Sequence, residues 1–224
     1  MKNIYLSKNA KDELKNYLTQ AGWLLRLIDG SAFINSPIAC HPDLYMCKLG
    51  VRDDAPVFHG DPVLLSDTYP GDIIFNGACT GKFFIHNLKY TSRGLLKTAE
   101  MSGMIPVNTR QGYTKCNLAV IDENSVITSD AGTAGAMEKA GIQVLLIEKG
   151  HILLSGYDYG FIGGCCGRTG SEIIFHGDLS SHPDFERIKS FIESKELNLK
   201  YFDTFPLEDI GSIIPEITDD VYDR

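Results

Sequence analysis

The chain has 224 residues, 43% of them apolar and 22% charged, and carries a formal charge of −8 at pH 7. That length and composition suit a folded domain with a real core. The acidic balance argues against a general nucleic-acid partner, which needs clustered Lys and Arg. No stretch approaches the ~20 apolar residues that span a bilayer, and the polar start MKNIYLSKNAKDELKNYL lacks a signal-peptide core. A soluble, cytoplasmic protein is expected.

Taken in chain order, residues 3–28 read as strand, helix, strand. Residues 31–66 are less regular: SAFINSPIA, then HPDLYMCKLG, then PVLLSD. The apolar run DIIFNGAC (72–79) precedes a strand at KFFIH, a helix around 93–102 and a strand at MIPVN. KCNLAVID (115–122) precedes a strand at SVIT, a helix around 132–140 and a buried strand IQVLLI. YGFIGGCCG (159–167) precedes the same order over 172–202, where Phe185, Ile188, Phe191 and Ile192 share one helical face. A last run, EDIGSIIPEI (208–217), has no helix after it, and the N-terminal copy has no run before it.

The ends therefore complement each other. The expected unit is ββαβ, about 40 residues long, and such a unit must pack against neighbours to bury its apolar face. Five pseudo-symmetric units are assigned to 31–66, 72–108, 115–148, 159–203, and 207–217 joined with 3–28. They make one α/β domain over residues 1–224, closed by pairing of the terminal segments.

Asn35, Asn76 and Asn117 recur 41 residues apart, each in or near the first strand of its unit. A buried amide needs its hydrogen bonds met, so these residues either brace the ring near its axis or touch a ligand there.

The unit order, the Asn-bearing first strands and the glycine-rich GFIGG resemble the pentein fold, an α/β propeller. Guanidino-group-modifying enzymes and a ribosome anti-association factor share it. RQGYTKCN, ITSDAG, YDYGFIGG and DLSSHPD look like an uncharacterised bacterial branch of that superfamily. The resemblance implies a small guanidino, amidino or amino-acid-like compound in an axial pocket, bound or hydrolysed at a C–N bond. The enzymes place a nucleophilic cysteine after a glycine pair near the C-terminus. Here that segment holds Gly211, Ser212, Ile213, Ile214 and Pro215, without a cysteine. The alternative is a non-catalytic pentein that binds a protein or ribonucleoprotein surface.

Candidate catalytic residues are Cys116, His41, Asp43 and His86. Cys116 lies among Arg110, Lys115 and Asn117, and Lys115 or Arg110 would favour a thiolate or hold an anionic group. His41 and Asp43 belong to an HPD repeated at His182, where Pro and Asp also read as helix-start residues. His86 and Asp130 end second strands, as site residues or as caps. Cys165 and Cys166 sit between glycines ahead of Arg168. They are a nucleophile activated by Arg168, a vicinal disulfide, or small residues in a tight turn. Asn35, Asn76, Arg110, Lys115, Asn117, Asp130, Cys165 and Arg168 form the expected substrate-binding set. No metal or organic cofactor is signalled: paired Cys-x-x-Cys is missing, and Cys40-His41 with Cys47 is only a loose ligand set.

Overall fold

The computed structural model describes residues 1–34 and 36–218. The chain opens with β1 (Lys2–Ser7), α1 (Asp12–Gln20) and β2 (Leu24–Ile28). A hairpin-like pair follows, β3 (Met46–Lys48) and β4 (Val57–His59). Next come β5 (Ala78–Cys79), β6 (Phe83–His86), α2 (Arg93–Met101) and β7 (Ile105–Asn108). The one-turn helix α3 (Thr114–Asn117) leads into β8 (Ala119–Asp122), β9 (Ser125–Thr128), α4 (Ala131–Lys139) and β10 (Gln143–Leu146). Then come β11 (Cys166–Thr169), β12 (Glu172–Phe175), α5 (Phe185–Glu193) and β13 (Asn198–Lys200), and β14 (Ile214–Ile217) is last.

These strands make five small sheets in a mixed α/β fold: β14-β1-β2, β3-β4, β5-β6-β7, β8-β9-β10 and β11-β12-β13. In each three-stranded sheet the first pair is antiparallel and the second parallel. A parallel neighbour needs a crossover connection, and α1, α2, α4 and α5 supply it. The terminal strands pair antiparallel, with Lys2 opposite Ile217 and Tyr5 opposite Ile214. β3 lies beside β5 and β14, and β11 lies beside β8 and β14. A cavity of about 50 Å³ is lined by Lys48, Cys79, Val120, Cys166 and Ile214, one residue from the first strand of each sheet.

Each crossover helix buries a narrow stripe: Leu14 and Leu18 on α1, Leu95 and Ala99 on α2, Ile188 and Ile192 on α5. The i, i+4 spacing puts each pair on one face. α1, α2 and α4 stop at Gly22, Gly103 and Gly141, whose φ values of 84°, 79° and 80° are left-handed. The same stop, three times over, is a local signature of the repeat.

Two expectations shift in detail. Asn76 and Asn117 precede their strands rather than lying in them. The backbone turns at 73–76 (Asn76 N to Ile73 O, 2.9 Å), and the Asn76 amide bonds to Lys115 and Asp43 in other units. The apolar run YGFIGGCCG, expected to end the first strand of its unit at Cys165 and Cys166, instead leads into it, because β11 begins at Cys166. Gly164 N donates to Cys116 O (2.8 Å) and lies within reach of Phe161 O (3.1 Å), which holds the preceding residues in a turn. Asn35 lies outside the described residues.

Candidate functional site

The chain after β2 ends in a buried 3₁₀ turn, Pro42–Leu44, with Pro at its first position and His41 just before it. Asp43 N donates to Gly211 O (3.2 Å), so this turn is pinned to the segment before β14. Asp43 is completely buried. Its Oδ2 accepts from Cys116 Sγ at 3.0 Å and lies 2.7 Å from Ser212 Oγ. The single Ser212 hydroxyl hydrogen also has the Gly163 carbonyl within reach at 2.9 Å. Asp43 Oδ1 and His41 Nδ1 are both buried without a hydrogen-bond partner.

Asn76 supports this floor. Its Nδ2 donates to Asp43 O (3.0 Å) and approaches Cys116 Sγ (3.4 Å), while its Oδ1 accepts from Lys115 N (2.8 Å). The amide is satisfied and touches the thiol as well, so bracing and site contact coincide in one residue. Lys115 Nζ turns away from the sulfur, to Gly163 O (3.1 Å) and Ser212 Oγ (2.9 Å).

A second carboxylate, Asp209, completes the cluster. Its two oxygens accept from Gly211 N and Phe161 N, both at 3.0 Å, and Oδ1 stands 3.7 Å from His41 Nδ1. Gly164 packs directly on this carboxylate: a Cβ there would meet Asp209 Oδ1 at 2.0 Å. Ser212 holds a left-handed φ of 76°, uncommon for a non-glycine residue. A cavity of about 270 Å³ opens above, lined by Ile38, His41, Tyr113, Cys116, Tyr157 and Asp209.

Burial sets the charges. It holds His41 below the ordinary histidine range, against the opposing pull of Asp43. It raises Asp43, against His41 and Lys115, and raises Asp209 to about 6. Cys116 is pushed well above the usual thiol value by burial and then by the negative Asp43 and Asp209. Without a ligand, the sulfur is a thiol donating to a carboxylate. This corrects the expectation of a thiolate favoured by Lys115 or Arg110. Lys115 Nζ bonds Gly163 O and Ser212 Oγ instead, and Arg110 lines another cavity.

That other cavity, about 920 Å³, is bordered by Arg110, Gln111, Tyr113, Asp130 and Lys139. Asp130 caps α4, accepting from Thr133 N at 2.6 Å. His86 joins neither group. It is buried, held between Thr91 Oγ1 (2.8 Å) and Gly112 O (3.0 Å), and burial lowers its pKa to about 4. Asn117 accepts from Thr128 Oγ1 (2.6 Å) inside its own unit.

The double cysteine is a packed turn. Cys165 Sγ donates to Ile162 O at 3.1 Å, and all six cysteines are free and buried, so there is no vicinal disulfide. Burial raises both thiols, and Arg168 donates to Ile121 O (2.6 Å) and Gly170 O (3.0 Å), away from them. Arg168 does not activate either sulfur. Cys47 leaves the loose Cys40-His41 set as well, lying 3.5 Å from Cys79 Sγ. At the second HPD, Asp184 rather than His182 is the residue before α5, and His182 Nδ1 accepts from Asp184 N.

The structure thus brings together His41, Asp43, Cys116, Lys115 and Asn76. It sets apart His86, Arg110, Asp130, Asn117, Cys165 and Arg168. Sequence reasoning missed Asp209 and Ser212, although both lie in the EDIGSIIPEI run already recognised as a fifth first-strand segment.

The chain belongs to the Family of unknown function (DUF6873), which matches it over residues 54–214. No curated protein and no solved structure matches it. Among the described residues, no helix is long and apolar enough to cross a membrane.

Proposed function

We propose that the five sheets form a pentein-like ring and that the cavity above Cys116 takes a small guanidino or amidino compound. The five first strands around one small cavity and the β1–β14 pairing support the ring. The convergence of His41, Asp43 and Cys116 at a cavity floor carries the functional reading, because the groups come from two distant segments and leave two polar atoms unpartnered. A planar cation matches that floor. Carboxylates hold it by paired hydrogen bonds, and the Tyr113 and Tyr157 rings at the wall favour positive charge.

The cation also alters the thiol. Asp43 and Asp209 raise the Cys116 pKa, and a bound positive charge opposes them. Asp43, 3.0 Å from the sulfur, is placed to accept the thiol proton as the sulfur adds to the amidino carbon and the C=N π pair moves to nitrogen. That proton then goes to the departing amine, and water cleaves the C–S bond to return the thiol. Ser212 occupies the segment where the related enzymes carry their cysteine, and its hydroxyl reaches the same carboxylate.

The test is a thermal-shift panel of arginine, agmatine, citrulline, methylarginines and simple amino acids under reducing conditions. A ligand at 100 times its Kd adds about 2.7 kcal/mol of stability. A selective shift with a guanidino compound, lost in Asp209→Asn, is the expected result. Cys116→Ala then keeps the shift, and turnover, if present in the parent, disappears. No shift with any guanidino compound rejects this reading in favour of a macromolecular partner.

A further inference from the structure

We propose that His41, Asp43 and Cys116 form a binding site for a divalent metal ion of the zinc class. One ligand atom from each lies within 4.8 Å of the other two, and all three residues are buried. The set is one nitrogen, one oxygen and one sulfur. That mixture suits a borderline-soft ion in tetrahedral coordination and is foreign to magnesium or calcium, which take oxygen.

The unpartnered atoms point the same way. Buried polar atoms are nearly always hydrogen-bonded, yet His41 Nδ1 and Asp43 Oδ1 have no partner. Asp43 Oδ1 is an acceptor, and so is His41 Nδ1 in the tautomer protonated at Nε2, so a metal ion would satisfy both. Asp43 Oδ2 keeps Ser212, so the carboxylate would stay oriented from outside the coordination sphere. Asp209 Oδ1, 3.7 Å from His41 Nδ1, adds negative charge beside the ion. Because His41 and Cys116 line the 270 Å³ cavity, the fourth position would face it. An open fourth position of this kind is how metal sites admit water or a ligand.

Binding is a proton exchange. The Cys116 thiol loses its proton to solvent as the sulfur–metal bond forms, and no oxidation state changes. The inference does not rest on the guanidino reading. A divalent ion would put its charge where the organic cation is expected, so the two occupants exclude one another.

The experiment uses the full chain, stripped with a chelator and kept reduced, and titrated with cobalt(II) alone. The expected result is one equivalent bound, with a sulfur-to-cobalt charge-transfer band and tetrahedral visible absorption. Zinc(II) should bleach both. Cys116→Ser, checked for folding by circular dichroism, should lose the charge-transfer band, and Asp43→Asn should weaken binding. Should Asp43→Asn fail to fold, His41→Gln serves in its place. No band in the parent chain, or a band that survives Cys116→Ser, overturns the proposal. The titration contains no guanidino compound and the thermal-shift panel no metal, so failure of one reading is distinguishable from failure of the other.

Discussion

Cys116 and the Cys165-Cys166 pair lie at similar depth, and all three sulfurs are free. Their surroundings differ. Cys116 has a carboxylate, an amide and a histidine brought from other units, and it borders a cavity. Cys165 has its own turn's carbonyl and the packed side chains of the core around β11 and α5. In sequence the double cysteine looks the more unusual. In space the single one has the chemistry. A local motif records the constraints of its own backbone, whereas a site records what distant segments deliver to one point.

The largest test of that contrast is in the glycine turn. Gly164→Ala should cost about 4 kcal/mol or more, because the new Cβ falls on the Asp209 carboxylate and its two backbone bonds. Gly135→Ala on α4 meets nothing within 4 Å and should instead gain about 0.5–1 kcal/mol by helix propensity. Urea unfolding of the two variants separates close packing from a general intolerance of side chains. Equal effects would undo the view that the turn exists for close approach.

A smaller effect belongs to His176, whose N–H donates to Cys165 O at 2.7 Å. Its Nε2 accepts from Lys11 N (3.0 Å) and its Nδ1 contacts Glu208 O (3.2 Å), which requires the neutral ring. Burial lowers its pKa from 6.5 to about 4. The unfolded chain therefore binds the proton first. Stability is full above about pH 6.5 and falls as pH drops toward 4, by about 3 kcal/mol for this one ring. His86, lowered to about 4 in the same way, adds to the slope. His176→Gln should flatten the pH dependence of the urea midpoint. An unchanged slope would mean that the acid sensitivity lies elsewhere.

The smallest effect is kinetic. Burial raises the pKa of Cys79, Cys116, Cys165 and Cys166, so alkylation of these thiols at neutral pH should be slow. Cys116 should still label before Cys165, since Cys116 and not Cys165 lines the 270 Å³ cavity. Mass-spectrometric mapping of a short iodoacetamide pulse reads the order. Cys165 labelling first would reverse the assignment of which sulfur is accessible.

The repeat was legible because its signals are local. The crossover helices carry their own apolar residues, and three of the four end at their own glycine, as at Gly103 and Gly141. His41, Asp43 and Cys116 were legible in part, the first two from the repeated HPD and the third from its polar neighbours Arg110, Lys115 and Asn117. Asp209 and Ser212 were not. They look like ordinary strand-entry residues, and their role comes from a left-handed backbone at Ser212 and from Gly164 seating against a carboxylate. Arg110 and Asp130 misled for the opposite reason. Arg110 lies near Cys116 in sequence and Asp130 ends a second strand, but Asp130 belongs to a helix cap and Arg110 to the neighbouring cavity.

The pairing of β1 with β14 gives the molecule an order of assembly. A ribosome makes β1 long before its partner β14, with Asp209 and Ser212 in the few residues just before that partner. Until those residues arrive, Asp43 lacks the Ser212 hydroxyl and the Asp43 amide lacks the Gly211 carbonyl. Contacts this distant in sequence are the slow ones to form. A nascent chain would thus hold its other sheets in place while the polar floor waits, and the site would come into being only when the final strand docks.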